Sequence, residues 1–243
     1  MKNNFNSLQE IKIELVVISV PHFSVENARE SMDKAVKLFP VSRNNLVGPY
    51  LVTTVEEAEK VANQFKIKGI DALIMIEGAF TWDNILARLT QELGDLPTVI
   101  WALPEPPMRG GKICLLSLCG AIMNGAALKK LGKKYRFIYG PLEEEKALYL
   151  LKQYLSAVAT VKKLRYGKYC VVGYRPTGFY NSAFDELYAR RILGIETVHL
   201  SLADLLEYAL NIPDEEVEKQ VSKQPPSLLG GCLLKTVLHI IMP

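Results

Sequence analysis

Residues 11–20 read IKIELVVISV, a nearly continuous run of aliphatic and β-branched side chains. Such a run is typical of a strand that is covered on both faces, as in a parallel sheet. Similar runs recur at residues 72–76, 98–102, 135–139, 169–173 and 197–200. We therefore expect a sheet whose strands are buried on both sides.

Helical patterns separate these runs. They cover residues 25–38, 55–65, 82–93, 120–131 and 143–164. Thr54 and Glu57 form a capping-box pair at the start of the second helix, and Gly69, Gly94 and Gly132 stand where helix C-caps are expected. The alternation of strands and helices of these lengths predicts a doubly wound α/β fold.

The chain is predicted to hold two domains. The helix at 143–164 is followed at once by a new strand, so we place an α/β domain at residues 1–166. Residues 168–207 contain a strand, a loop, a helix, a second strand and a second helix, which predict a partial second α/β domain at 167–243. For residues 224–243, a last strand of that small sheet and a terminus altered by truncation or a shifted reading frame are equal alternatives.

Composition excludes several classes of protein. Apolar residues make up 49% and charged residues 23% of the 243, which argues against disorder and against a collagen-like or disulfide-rich chain. The net charge of +3 is small and scattered, so we expect no nucleic-acid partner. No run approaches the roughly 18 apolar residues that a membrane span needs, and the polar start does not resemble a signal peptide.

We therefore expect a cytoplasmic protein with free thiols, no membrane partner and no C-x-x-C metal or redox pair. The cysteines are Cys114, Cys119, Cys170 and Cys232. Cys170 lies in an apolar strand pattern and is expected in the core. Glycine-rich nucleotide motifs and hydrolase motifs are absent from the sequence.

Residues that follow the strands are the candidates for a binding site, because ligands of parallel sheets lie beyond the carboxyl ends of the strands. These candidates are His22, Glu77, Trp82, Glu105 and the loop at residues 108–111. Each has a structural alternative. His22 fits a turn hydrogen bond, Glu77 a carboxylate bound by helix N-terminal amides, Trp82 a core ring, and residues 108–111 an ordinary surface loop.

Four blocks resemble consecutive blocks of the L-fucose/L-arabinose isomerase-like family. They are IEGAFTWDNIL (76–86), TVIWALPEPPMRGG (98–111), SLCGAIMNGAALKKLGKKYRFIYG (117–140) and VVGYRPTGFYNSAFDELYARRILGIETVHLSLADLL (171–206). The resemblance covers most of residues 10–210, whereas chains of that family are normally about twice as long. The SLCG block and the block running from GFY through FDE to LG are the more specific parts.

The resemblance implies an aldose–ketose isomerase fold and activity. Full-length members of the family use Mn²⁺, held by a carboxylate pair late in the second domain and a histidine from a third. Those positions have no counterpart in this sequence, so we expect no catalytic residue, no metal ligand and no cofactor on this chain alone. In related hexamers the first domain completes the substrate pocket of a neighbouring subunit, which implies a homo-oligomer or a partner chain. Sugar contacts carry over to His22, Trp82, Arg175 and Tyr180.

Three functions remain open from the sequence. The chain is the substrate-recognition and assembly part of a carbohydrate isomerase and is inactive alone, or it is a non-catalytic sugar-binding or regulatory module. The third alternative is a subunit that completes the pocket of a separate catalytic chain. The sequence does not indicate which sugar is bound.

Overall fold

A computed structural model describes residue 8 and residues 10–23, 25–91, 93–107 and 111–222, with only the backbone of 220 and 221. The chain divides between Lys162 and Lys163 into two compact units. The predicted fold class, a doubly wound parallel sheet followed by a smaller α/β part, is confirmed. The predicted domain boundary near residue 166 stays a prediction.

Within its described residues, the first unit contains five strands and most of five helices. The strands are β1 (Ile13–Ile18), β2 (Leu46–Val52), β3 (Ala72–Glu77), β4 (Thr98–Ala102) and β5 (Tyr135–Tyr139). The helices are α1 (Val25–Leu38), α2 (Val55–Lys68), α3 (Asp83–Gln91), α4 (Ser117–Lys130) and α5 (Glu145–Tyr166), the last of which continues into the second unit.

All strand pairs of the first sheet are parallel, in the order β2-β1-β3-β4-β5. The chain runs from β1 to β2 on one side and then crosses to β3 on the other side. This reversal is the topological switch point, where doubly wound proteins bind their ligands. From the order of the strands, a ligand site is therefore expected at the carboxyl ends of β1 and β3.

Side chains alternate between the two faces of this sheet. Helices α1 and α5 cover the face that carries Leu15, Ile74 and Trp101. Helices α2, α3 and α4 cover the face that carries Val16 and Met75. The central strands β1, β3 and β4 are buried on both faces and show the continuous apolar runs from which they were predicted. The expectation of burial on both sides is wrong for β5, an edge strand in which three of five side chains are exposed.

Among the described strands, β2 is the one that the sequence analysis missed; the helix at Asp214–Val221 was also not predicted. Strand β2 lies at the edge of the sheet, most of its side chains are half-buried, and it contains Gly48 and Pro49. Proline is tolerated at an edge because the edge strand lacks a partner for one set of its backbone groups. The same features remove the apolar run that identifies a central strand.

The predicted capping pair is present with one change. The Thr54 side chain accepts a hydrogen bond from the Glu57 backbone N–H at 3.2 Å. Glu57 reaches back to the backbone N–H of Thr53, at 2.7 Å, instead of that of Thr54. Gly69 ends the helix in the left-handed conformation with φ of 62°, as predicted.

The second unit contains a small parallel sheet of β6 (Lys168–Val172) and β7 (Glu196–Leu200). Its further helices are α6 (Glu186–Leu193), α7 (Leu202–Leu210) and α8 (Asp214–Val221). Asp185 caps α6 and Ser201 caps α7 through their side-chain oxygens. Residues 223–243, which include the alternatives drawn for 224–243 and the thiol of Cys232, lie outside the described residues.

The expectation for Cys170 is wrong, because its side chain is exposed. Strand β6 pairs with β7 alone among the described strands, and four of its five side chains are exposed. An apolar run indicates a strand, but it does not show whether a second layer covers that strand.

Among the described helices, none combines the length and apolarity that a bilayer crossing requires.

Glu14 is an acidic residue inside the apolar run of β1. Its side chain is fully buried, and neither carboxyl oxygen has a hydrogen-bond partner among the described residues. Burial raises the pKa of Glu14 to about 8, against the opposing charge of Lys68. An unpaired buried polar group destabilises the folded state, so this position lowers the stability of the sheet.

We predict that Glu14→Met raises the free energy of unfolding by about 1–3 kcal/mol near pH 6. The gain should grow toward pH 9. Because the folded state raises the pKa of Glu14, protonation of this group stabilises the folded state. That contribution is fully present below pH 4.5, the ordinary pKa, and is lost as the pH rises through about 8. Urea unfolding at several pH values measures both effects. Glu30→Met, at an exposed position of α1, is the control, and an equal gain there would contradict the explanation.

Candidate functional site

The switch point brings two predicted sugar contacts together. His22 follows β1 and Trp82 follows β3, and their ring centroids lie 6.0 Å apart with the rings inclined at 61°. Trp82 is 46% exposed and His22 is also exposed, so both rings are accessible to a ligand. The core alternative for Trp82 is therefore wrong.

Neighbouring aromatic residues fix the two loops. Phe23 and Phe80 are adjacent in sequence to His22 and to Thr81, and their ring centroids are 5.7 Å apart. Both rings are partly buried against the core under α2, α3 and α4. The loops that carry His22 and Trp82 are therefore anchored by the packed rings of Phe23 and Phe80.

Glu77 ends β3, five residues before Trp82 in the chain. Its side chain is fully buried, and it accepts hydrogen bonds from the Thr81 hydroxyl at 2.8 Å and from Asn124 Nδ2 at 2.5 Å. Burial raises the pKa of Glu77 to about 8, although both hydrogen bonds oppose the shift. The carboxyl is therefore largely neutral at physiological pH. Its partners are side chains and not the helix amides considered for it.

Ser117 joins the ends of two strands to α4. Its hydroxyl donates to the backbone carbonyl of Glu77 at 2.6 Å and accepts from the backbone N–H of Leu103 at 2.8 Å. One turn later, a Cβ on Gly120 would stand only 3.1 Å from the Thr81 backbone nitrogen. The serine and the glycine of the SLCG block therefore let α4 approach the switch point closely.

Glu105 has a structural role in the next loop. Its carboxylate accepts the backbone N–H groups of Cys114, Leu115 and Leu116, which precede α4, at 2.8–3.1 Å for the latter two. Partial burial raises the pKa of Glu105, but the three backbone hydrogen bonds outweigh it and hold the pKa below its ordinary value. The loop at 108–111 was the other candidate in this region, and its residues 108–110 lie outside the described residues.

The other two predicted contacts meet in the second unit. The Arg175 guanidinium lies 5.4 Å from the Tyr180 ring centroid and 5.7 Å from that of Tyr174. Its Nη1 donates to the backbone carbonyl of Phe179 at 3.3 Å. Tyr180 is 78% exposed. The four predicted contacts thus form two pairs, one in each unit.

Sequence analysis did not single out Asn124 or Ser117. Both lie on the buried face of α4 with Gly120 and Ala121, at the spacing of successive helical turns. One signal would have identified them. It is a polar side chain at a position where the helical period predicts a core residue. Their partner Glu77 could not be inferred, because it lies 47 residues from Asn124 in the chain.

Manganese, which the family resemblance implies for full-length members, does not fit the described residues. Within them, no three His, Cys, Asp or Glu side chains are grouped so that they could hold an ion. At the end of β3, the carboxyl of Glu77 already binds a hydroxyl and an amide group. We derive no metal-dependent step for this chain.

Residues 24–165 match the sequence model described as fucose/sulfoquinovose isomerase, N-terminal domain. The chain belongs to this family. The match confirms the fucose-isomerase part of the resemblance and extends it to sulfoquinovose. It begins just after His22 and includes Trp82 and the residues that surround Glu77.

The relatives found among curated proteins are sulfoquinovose isomerases. The one from Clostridium sp. (strain MSTE9) is 27% identical over 212 residues, 86% of this chain and 46% of the relative. The one from Priestia aryabhattai is 23% identical over 224 residues, 92% of this chain and 50% of the relative. The chain spans about half the length of these relatives. Carbohydrate isomerases are therefore the class to which this chain is related.

We predict that Asn124→Ala lowers the free energy of unfolding by about 1–3 kcal/mol, because it removes the partner of a buried carboxyl oxygen. The loss should be larger at pH 9 than at pH 6. The Asn124 hydrogen bond favours the ionised form of Glu77, whose pKa of about 8 falls between these values. Chemical denaturation at the two pH values measures this difference. Asn63→Ala, at an exposed position of α2, should change stability by less than about 0.5 kcal/mol. A loss independent of pH would argue against the role of Asn124.

Proposed function

We propose that this chain is the substrate-recognition and assembly part of a sulfoquinovose-type aldose–ketose isomerase and has no turnover by itself. The observation that carries the proposal is the exposed His22–Trp82 pair at the switch point. Membership in the family and the names of the relatives support the choice of reaction and of sugar.

The chemistry of the pair suits a sugar. An indole ring presents a flat apolar face that packs against the C–H groups of a pyranose, and an imidazole can donate or accept a hydrogen bond from a hydroxyl. Both loops are anchored by Phe23 and Phe80. A rigid support of this kind lowers the conformational entropy lost on binding.

Isomerisation also needs a base and an electrophile, because a proton must be removed from the carbon beside a carbonyl. Two carboxyl groups, at the end of β3 and after β4, have other roles. Glu77 is sealed from solvent and largely neutral, and Glu105 is occupied by three backbone N–H groups. We therefore assign sugar contacts and no proton transfer to the carboxyl edge of the first sheet, and propose that other residues, with the manganese of the full-length family, supply proton transfer.

Exposed apolar side chains of the second unit support an assembly role. Large side chains on α6 and α7 are open to solvent: Leu187, Ile192, Leu202, Leu206 and Leu210. Apolar surface of this extent is commonly covered by a partner. We propose a second copy or a separate catalytic chain as that partner, and this surface favours both over an isolated sugar-binding module.

The free thiols of Cys114, Cys119 and Cys170 suit the cytoplasmic location that we propose.

We predict that the purified 243-residue chain with Mn²⁺ forms no ketose from sulfoquinovose or L-fucose, but binds sulfoquinovose weakly. Trp82→Ala should weaken this binding about three- to tenfold, the loss expected for one aromatic face. Product analysis and isothermal titration calorimetry measure the two outcomes. Tyr149→Ala removes an exposed ring from α5 and is the control. Turnover by the chain, or unchanged binding in Trp82→Ala, would show that the proposal is wrong.

We predict that the chain associates in solution. Leu206→Lys on α7 should shift it toward the monomer, because burying a charge at an apolar contact is unfavourable. Light scattering over a range of concentrations measures this shift. Ile67→Lys changes a side chain that is 85% exposed on α2 of the first unit and should leave the mass unchanged. A stable monomer of the unmodified chain at high concentration would contradict the assembly role.

A further inference from the structure

The loop between β6 and α6 holds an arginine side chain in place. Residues 173–180 read GYRPTGFY. Tyr174 and Tyr180 both contact the Arg175 guanidinium through their rings, and Arg175 Nε lies 3.4 Å from the Tyr174 hydroxyl. With the Nη1 bond to the carbonyl of Phe179, these contacts restrict the rotation of a long side chain. An arginine restricted in this way loses less entropy when it binds an anion.

The charge of Arg175 is not neutralised within the described residues. None of their carboxylates forms an ion pair with it, in contrast to Arg88, which pairs with Glu59. Residues 173–184 contain no aspartate or glutamate. The bonds to Tyr174 and Phe179 use Nε and Nη1, and within the described part of the chain the N–H groups of Nη2 have no partner. The guanidinium therefore keeps donors available for an anion.

The available donors suit a tetrahedral oxyanion. A guanidinium is planar and presents its N–H groups as a fork that binds two oxygens of one anionic group at once. A sulfonate offers oxygens of this geometry and keeps its negative charge at every physiological pH. Sulfoquinovose is a glucose in which a sulfonate replaces the hydroxyl on C6. Quinovose, 6-deoxyglucose, has the same ring without the charge.

We propose that Arg175, held between Tyr174 and Tyr180, binds the sulfonate and selects sulfonated sugars over neutral ones. This inference rests on the proposed function and adds the residue that determines its substrate class. A neutral sugar offers only hydroxyl groups to the guanidinium, which bind it no better than water does. The sulfonate adds a charge-assisted pair of hydrogen bonds in a partly buried position.

The experiment is calorimetric titration of the 243-residue chain with sulfoquinovose and with quinovose. The unmodified chain should bind sulfoquinovose at least about tenfold more tightly, the ratio expected for one hydrogen-bonded ion pair. Arg175→Gln should bind the two sugars equally. Arg175→Lys keeps the charge without the fork and should retain only part of the preference. Increasing salt should reduce the preference of the unmodified chain.

Arg191→Gln is the matched control. The Arg191 guanidinium also lies over a tyrosine ring of the second unit, 5.0 Å from the centroid of Tyr188. The preference for sulfoquinovose should survive this change. Circular dichroism of each variant verifies that the fold is retained.

The outcomes test the role of Arg175 separately from sugar binding by the chain. Equal binding of the two sugars by the unmodified chain, or a preference that survives Arg175→Gln, overturns the role of Arg175 and leaves sugar recognition intact. Failure to bind either sugar overturns both. A preference lost in Arg191→Gln as well as in Arg175→Gln would assign selectivity to the general positive charge of the unit and would also overturn the inference.

Discussion

The carboxyl edge of the first sheet depends on the burial of one carboxyl group, that of Glu77. Thr81 and Asn124 bind its two oxygens, and Ser117 binds its backbone carbonyl. Through these bonds β3, the loop before Trp82 and the first two turns of α4 form one hydrogen-bonded cluster. A buried polar group is tolerated only when it is paired, so the partners must occupy fixed positions for the chain to fold. Trp82 directly follows Thr81, which is fixed in this cluster by its hydrogen bonds.

This arrangement separates an acid that supports the structure from the exposed surface for which we propose sugar binding. Glu77 is sealed from solvent, whereas Trp82, five residues later, is almost half exposed. The raised pKa keeps the acid largely neutral, which suits a buried structural group. A strongly shifted pKa beside a cleft often indicates a catalytic group. Here its complete burial and its hydrogen-bond partners indicate a structural role.

The second unit obtains its order mainly from local interactions. Asp185 and Ser201 cap their helices through backbone N–H groups three residues away, and Tyr174 and Tyr180 flank Arg175 within one loop. Its sheet has two described strands, so many apolar side chains stay exposed. The contrast with the first unit explains why the same apolar pattern gave a buried strand for β1 and an exposed thiol in β6.

The sequence by itself determined the fold class, the approximate positions of the five described helices of the first unit, and the caps at Thr54 and Gly69. These features depend on periodicity, on capping side chains and on glycine, which act over a few residues. It could not reveal β2, because a half-buried edge strand that contains Pro49 lacks the apolar run of a central strand. Only the tertiary structure paired Glu77 with Asn124 and brought His22 to Trp82. Those contacts join residues far apart in the chain, and they are set by the order of the strands and not by any local pattern.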